Sequence, residues 1–452
     1  MQEKQNNYID PTIEEVKDIE QKQNIISKFS NKQLVNDLSQ MLVGSDEVKS
    51  KLVKKNTIYK RTKMANFGLK LNKLYSNIST WKLILITVFT ALFFGVISVF
   101  LVKNVGIYNF GLAAFGQAFS RFLVVLFKED QISVQLRNLI DQFVFWIAYI
   151  ILSIPIFVFG YKKIGKMFSN LTVLFLVVSS FVAFSIGLIP GVNNIYLIGD
   201  FSNSLVKTSL EDYYKPLSSI IPLSWSDGGN IIALFLFAII YGYLLAWIFA
   251  IIQIIGGTAG VTGIIGEWYA NTKQKSFGSI SGYMNIVIVL IGVLVGSWLP
   301  GSILLQKAFD EQAKNNALTE EQIKIYKLAW SFELYLSPNF IATILTNIVY
   351  IIVLNKLYPK FKLVRVEIYS MKHSQEIAMK LRDDKKIVTG ITLFNGRGGF
   401  SSEHIEIVTS ITLFRQVNRL IKDVRKIDQD AFISISDVTS IDGYIYLPQD
   451  KF

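Results

Sequence analysis

Chemistry in this sequence is concentrated where glycine and polar residues interrupt long apolar runs. The densest interruption is Gly256-Gly257-Thr258-Ala259-Gly260-Val261-Thr262-Gly263-Ile264-Ile265-Gly266-Glu267, with five glycines in eleven residues. It follows the apolar run Ile231–Ile255. Each glycine costs a helix interior about 1 kcal/mol relative to alanine. In lipid, a broken backbone must be buried in protein or line a wet cavity. The stretch reads either as a broken or re-entrant segment, or as close helix packing through small residues. An earlier stretch favours the first reading. Ala91-Leu92-Phe93-Phe94-Gly95 is followed by Gly106, Gly111 and Gly116, and Ala238-Ile239-Ile240-Tyr241-Gly242 by Gly256, Gly260 and Gly266. The two copies lie about 150 residues apart, and paired Gly-interrupted segments in two halves point to a transporter-type site. A substrate path would then pass Gly106, Gly111, Gly116, Gly256, Gly257, Thr258, Gly260 and Gly263.

Four side chains near these stretches are further path candidates. Asp141 stands at the entry of one apolar run and Glu267 at the end of the Gly-rich break. Ionisable groups at membrane segments are costly and are functional candidates by default, although both can instead snorkel to the interface. Arg121 can pair with one of them, bind an anionic substrate, or anchor at the interface. Asn285 can coordinate substrate or hydrogen-bond to a neighbouring helix. No nucleophile–base constellation and no phosphate-binding P-loop occurs, so the chain does not read as an enzyme. With no cysteine and two histidines, His373 and His404, neither a thiolate site nor a histidine metal site is expected. No cofactor is called for.

These residues must be positioned by a membrane domain. Of 452 residues, 51% are hydrophobic, and the mean hydropathy is +0.39, too apolar for an ordinary soluble protein of this charge content. Six spans are expected: Leu83–Val102, Phe143–Gly160, Leu171–Ile189, Ile231–Ile255, Ile286–Leu305 and Phe340–Leu357, each near the roughly 20 residues that a spanning helix needs. Residues 1–80 form a basic N-terminal arm, with a helical spacing over Asn31–Lys55 and no apolar leader. From Lys49 to Lys82 there are ten Lys/Arg and no Asp/Glu. Directly before a span, such a run fixes orientation and touches anionic lipid rather than nucleic acid. Lys162, Lys163 and Lys166, then Lys273 and Lys275, then Lys356, Lys360, Lys362 and Arg365 mark the same side. Both termini are thus expected in the cytoplasm. Since three is odd, two three-span repeats must be inverted. In the loops, Thr319-Glu320-Glu321-Gln322 reads as a capping box, and Trp225–Gly229 as a turn into the fourth span.

From residue 361 the pattern changes. Leu363–Met371, Ile387–Phe394, Ile405–Phe414 and Ala431–Val438 read as strands. Ser374–Asp383, capped by Ser374, and Arg415–Asp428 read as helices. The order βαββαβ suggests a small α+β ferredoxin-like domain over 361–452, which oligomerisation would help to sustain. Asn395-Gly396-Arg397-Gly398-Gly399 breaks the second strand. Such a loop can set backbone N–H groups and Arg397 against a phosphate, as for a nucleotide ligand, or can simply be a tight strand connection.

These stretches resemble the YitT family of bacterial membrane proteins. The resemblance rests on Thr389-Gly390-Ile391-Thr392, Gly396-Arg397-Gly398-Gly399-Phe400 and Asp428–Val438 in the tail. The tail run is similar to the family's Asp-Pro-x-Ala-Phe-Val-x-Ile-x-Asp-Val, with Gln429 in place of proline. In the membrane half, Ile154–Lys166 is similar to its Pro-containing second helix and basic loop, and Gly256-Gly257-Thr258 to its Gly-Gly-Thr-Asp. Departures are Ala259 in place of the acid, Ser153 and Asn285 at other polar family positions, and Gly443-Tyr444-Ile445-Tyr446 at the close. The resemblance implies a multi-pass bacterial plasma-membrane protein but no substrate. The favoured expectation is a homo-oligomeric secondary transporter or permease of a small substrate, regulated by its tail. The alternatives are a membrane-anchored sensor or scaffold, and a lipid-handling protein.

Overall fold

The computed structural model describes residues 70–75, 78–127, 133–189, 191–192, 195–202, 204–210, 214–315, 319–384, 390–399 and 402–442. The expected Asn31–Lys55 helix, Thr389, Phe400, Gly443–Tyr446 and most of the basic arm lie outside these residues. The helices in order are α1 (Thr80–Ser98, continued by a π turn Val99–Lys103), α2 (Leu112–Leu126), α3 (Val134–Lys163), α4 (Lys166–Gly187) and α5 (Ser204–Ser209). Then come α6 (Gly228–Ile254), α7 (Thr262–Lys273), α8 (Phe277–Val293, with a π turn Leu294–Trp298), α9 (Leu299–Asn315), α10 (Glu320–Tyr326), α11 (Phe332–Tyr335) and α12 (Pro338–Leu357). The tail adds β1 (Leu363–Tyr369), α13 (Ser374–Asp383), β2 (Ile391–Arg397), β3 (His404–Leu413), α14 (Phe414–Ile427) and β4 (Phe432–Asp437).

Six helical stretches are long and apolar enough to cross a membrane: Thr80–Lys103, Phe143–Lys163, Lys166–Gly187, Gly228–Ile254, Phe277–Asp310 and Phe332–Leu357. They coincide with the six expected spans. The two halves of the membrane domain share one order: a span, a non-helical break, a short helix, then two spans. The breaks are 104–111 and 255–261, and the short helices are α2 and α7. The first and third spans of each half pack most closely, α1 on α4 and α6 on α12. Glycines permit this approach. A Cβ on Gly95 would lie 2.8 Å from Val182 Cβ, and one on Gly242 would lie 2.6 Å from the Thr346 carbonyl oxygen. The paired glycines of the two similar stretches therefore hold equivalent helix crossings.

The tail is an antiparallel sheet of four strands in the order β2-β3-β1-β4. Val364, Val366 and Ile368 of β1 face α13 and α14, where they meet Ile377, Leu381, Val417, Leu420 and Val424. Two local expectations are corrected. Ser374 is not the N-cap of α13; that position is His373. The Ser374 hydroxyl donates instead to the carbonyls of Ser370 (2.9 Å) and Glu406 (2.7 Å), which ties the helix to the sheet. Strand β2 does not end at Asn395, because Asn395, Gly396 and Arg397 continue the ladder opposite Glu406, Ile405 and His404. The capping box at Thr319 is present, with its hydroxyl accepting from Gln322 N and the Gln322 side chain accepting from Thr319 N.

Because the obstacle at Gly242 is a backbone oxygen, the helices themselves must separate to admit a side chain there. Gly242→Leu is expected to lower the thermal unfolding midpoint in detergent, by a cost of at least about 1–3 kcal/mol for overpacking. Gly228→Ala, where nothing lies within 4 Å, should leave it in place.

Candidate functional site

The first break is held by side chains from elsewhere in the chain. Gly106, at φ +83°, ends the turn after α1. Its carbonyl accepts from Asn339 Nδ2 (3.0 Å), while Asn339 Oδ1 accepts from Leu223 N (2.9 Å). Tyr108 N donates to Thr343 Oγ1 (3.1 Å), and its hydroxyl donates to Ser297 Oγ (2.7 Å). Asn104 donates to the carbonyls of Val192 and Ile195. Gly111, at φ +65°, is the residue before α2, and a side chain there would be both strained and obstructed. A Cβ would come within 2.6 Å of Thr262 Oγ1 at the start of α7. Gly116 lies farther along α2, against the Phe145 carbonyl of α3.

The second break mirrors this logic. Gly256, at φ +93°, closes the end of α6. Gly257 fits against Leu171 of α4 and donates to the Ile252 carbonyl (2.9 Å). Thr258 N donates to Thr172 Oγ1 of α4 (3.1 Å), and the Thr258 side chain rests on Gly263. The beginnings of α2 and α7 thus meet at Gly111 and Thr262, and both bound one cavity of about 1270 Å³.

Gly111, Gly260 and Thr262 line this cavity, as do Arg121 and Asn285. Gly106, Gly116, Gly257 and Gly263 shape its surroundings by packing. Asn285 also lies 3.4 Å from Asn347 Oδ1, and Asn347 donates to the Gly282 carbonyl (2.9 Å). The position of Asp141 is in α3, and its side chain lies outside the described residues. The lining contains four cations, Lys103, Arg121, Lys207 and Lys215, and no Asp or Glu among the described residues. Asp200 lies near Lys207 in the adjoining loop. Hydrogen bonds from Ser202, and secondarily the Lys207 charge, hold its carboxyl below the usual carboxylate range. Sequence reasoning missed Lys103, Lys207 and Lys215. Lys103 had a signal, since it is a cation immediately before the first Gly-rich break.

Glu267 does not snorkel. It is 1% exposed and forms an ion pair with Lys360, also 1% exposed. Gln253 Nε2 donates to Glu267 Oε2 (2.9 Å), and Asn271 Nδ2 to Oε1 (3.3 Å). This network joins the end of α6, helix α7 and the short link between α12 and β1. Lys360, read from sequence only as an orientation marker, is therefore a structural partner of the second break.

In the tail, Asn395, Gly396 and Arg397 are strand residues, and Gly398 and Gly399 begin the turn. Gly398 N donates to the Glu403 carbonyl (2.8 Å), and Ser402 N donates to that of Gly398 (2.8 Å). Arg397 Nε donates to the Ser402 carbonyl (2.8 Å), so its guanidinium closes the turn across the hairpin.

Fold and site define a polytopic helical membrane protein with a small α+β domain at its C-terminal side. Residues 389–443 match a family described as "Uncharacterized protein conserved in bacteria (DUF2179)". The chain is 31% identical to uncharacterized protein MG443 of Mycoplasma genitalium, across 86% of this chain and 95% of the relative. It is 31% identical to the MG443 homolog of Mycoplasma pneumoniae (76% and 83% covered) and 30% identical to the MG432 homolog of that organism (85% and 92%). The chain belongs to the family of these mycoplasma proteins. No solved structure matches it.

Removing one partner of a buried ion pair strands the other charge, at a cost of about 3–5 kcal/mol. Glu267→Gln should therefore lower the unfolding midpoint strongly, and the double variant Glu267→Gln/Lys360→Met should recover much of the loss. A double-mutant thermal-unfolding cycle checks this; additive effects of Glu267→Gln and Lys360→Met would show that the two side chains are not coupled.

Proposed function

We propose that this protein is a secondary transporter or permease of the bacterial plasma membrane, related to the YitT family. Its membrane domain is an inverted repeat of three spans plus three, with both termini cytoplasmic. The observation that carries this reading is the cavity bounded by both breaks, because broken backbone at membrane depth is tolerated where it lines a wet path. The matched order of elements in the two halves, and the matched glycines Gly95 and Gly242, support the repeat. The tail is a ferredoxin-like domain that regulates the path. Its lever is Lys360, which lies three residues before β1 begins to pair and is bonded to Glu267 on α7, whose first residue lines the cavity. The basic segment Lys49–Lys82 rests on anionic lipid. No enzymatic step belongs to this reading.

A second reading, in which the helices localise and oligomerise the tail, is favoured by one observation. Phe394, Ile407, Tyr369 and Phe432 fall opposite one another in register across all four strands, on the face turned away from α13 and α14. Phe394 and Phe432 are 55% and 65% exposed, and an apolar row of this kind suits a second copy of the domain.

A Cβ on Gly260 would meet nothing nearer than 3.8 Å, so a larger side chain can start there without a clash at its Cβ and extend into the path. In proteoliposomes tested with labelled carboxylates, organic phosphates, amino acids and sugars, at least one solute should enter. Gly260→Leu should bring its uptake to the level of protein-free vesicles. Unchanged uptake by the folded variant would sink the proposed path.

A further inference from the structure

We propose that the cavity takes an uncharged polar solute built on a ring, of the nucleoside or sugar class, and holds it where the two breaks meet. This deepens the proposed transport reading and rests on its wet path. The charges of the lining are already matched. Lys207 lies in the field of Asp200, and Lys103, Arg121 and Lys215 each have a partner. A charged solute would lose its hydration there without meeting a free counter-charge, which is costly. The groups left over are neutral. Asn285 is 5% exposed and borders the cavity. Its Nδ2 donates to Asn347 Oδ1 (3.4 Å), and Asn347 is fixed in turn by its bond to the Gly282 carbonyl. Among the described residues no donor reaches Asn285 Oδ1, which is left open to the cavity. Ser281 stands one turn before it on the same face of α8 and borders the same space. Beside the start of α2, Asn109 Nδ2 donates to Gln117 Oε1 (3.0 Å). That bond leaves the Asn109 oxygen and the Gln117 amide hydrogens, an acceptor beside donors, at the lining. Val289, one turn beyond Asn285, borders a small recess together with Asn109 and Gln117. The amides of α8 and of the first break therefore lie on neighbouring walls.

A ring platform adjoins these amides. A Cβ on Gly260 would meet only the tip of the Phe249 ring, at 3.8 Å, so the bare glycine leaves space beside that ring. Gly260 stands two residues before Thr262, which meets Gly111. The Phe249 ring is set at 80° to that of Tyr350, with 5.2 Å between centroids. The Tyr350 hydroxyl in turn lies 3.0 Å from that of Ser281. Ring, hydroxyl and amide thus follow one another along one wall. An aromatic ring gives a flat solute apolar contact without calling for charge. Carboxamides present a donor and an acceptor side by side, which fits the edge of a nucleobase or adjacent hydroxyls of a sugar. Groups of this kind are costly to leave unpaired, so the site discriminates against solutes that cannot bond to them.

The chain contains no cysteine, so Gly260→Cys places a single thiol at the lining. The full-length variant in phosphatidylcholine nanodiscs would be labelled with N-ethylmaleimide, an uncharged reagent. Ser226→Cys, at an exposed loop position, is the reference. Uridine and adenosine, or glucose and galactose, should slow labelling of Gly260→Cys saturably and leave Ser226→Cys unaffected. Protection by the first pair identifies a nucleoside, and protection by the second a sugar. Benzoate, phenyl phosphate, alanine and choline should not protect. Adding Asn285→Leu should raise the half-protecting concentration about tenfold, the order expected for one lost hydrogen bond, with the labelling rate in the absence of solute unchanged. Should Asn285→Leu fail to fold, Gln117→Leu takes its place. Labelling that no uncharged ring solute slows, or that the charged solutes slow equally, overturns the solute class and leaves the wet path standing. No labelling of Gly260→Cys removes the path itself, and the proposal with it. Protection in a protein that carries none of these solutes into proteoliposomes keeps the solute class and overturns the transport reading.

Discussion

A peptide group in hydrocarbon has no water to bond with, so a chain that leaves the helix inside a membrane domain must bring its own partners. This constraint governs the architecture. The first break is bonded to Asn339 and Thr343 of the last span and to Ser297 of the fifth. The second is bonded to Thr172 of the third span. Polar residues in these spans are thus committed to backbone that lies far away in sequence. The close crossings at Gly95 and Gly242 bring the spans near enough for such bonds to form.

Charge is segregated within the same framework. The buried carboxylate of Glu267 is matched by Lys360 and held by two amides. It lies at the junction with the tail, where a pair of opposite charges can be buried together with little net field. On the other side of the two helix starts, the cavity lining holds Lys103, Arg121, Lys207 and Lys215. The two regions share α7, whose first residue borders the cavity and whose sixth is Glu267. A single helix of twelve residues thus carries both the contact with Lys360 and part of the cavity wall.

In the tail, the same economy of partners ties Arg397 to its own hairpin. Its Nε donates to the Ser402 carbonyl, and the neighbouring glycine belongs to the ladder. Glycine there suits a strand as well as a turn, and single-sequence pattern does not separate the two. Likewise, Ser374 has the residue type of a helix cap. The sheet, which places the Glu406 carbonyl within reach, recruits its hydroxyl instead.

Hydrophobic run length fixed the number and place of the spans, because a bilayer of given thickness demands that length wherever it occurs in the chain. The Gly-rich stretches were legible as breaks for the same local reason, and so was the strand–helix order of the tail. What no local pattern carries is which polar side chain meets which break, and which charge faces a cavity rather than water or lipid. Lys103 looks like the end of a span, Lys215 like a loop charge and Lys360 like a topology marker. Only the crossing of spans far apart in sequence makes the first two cavity walls and buries the third against Glu267. Local sequence sets what a segment must bury; tertiary packing decides which distant partner it is buried against.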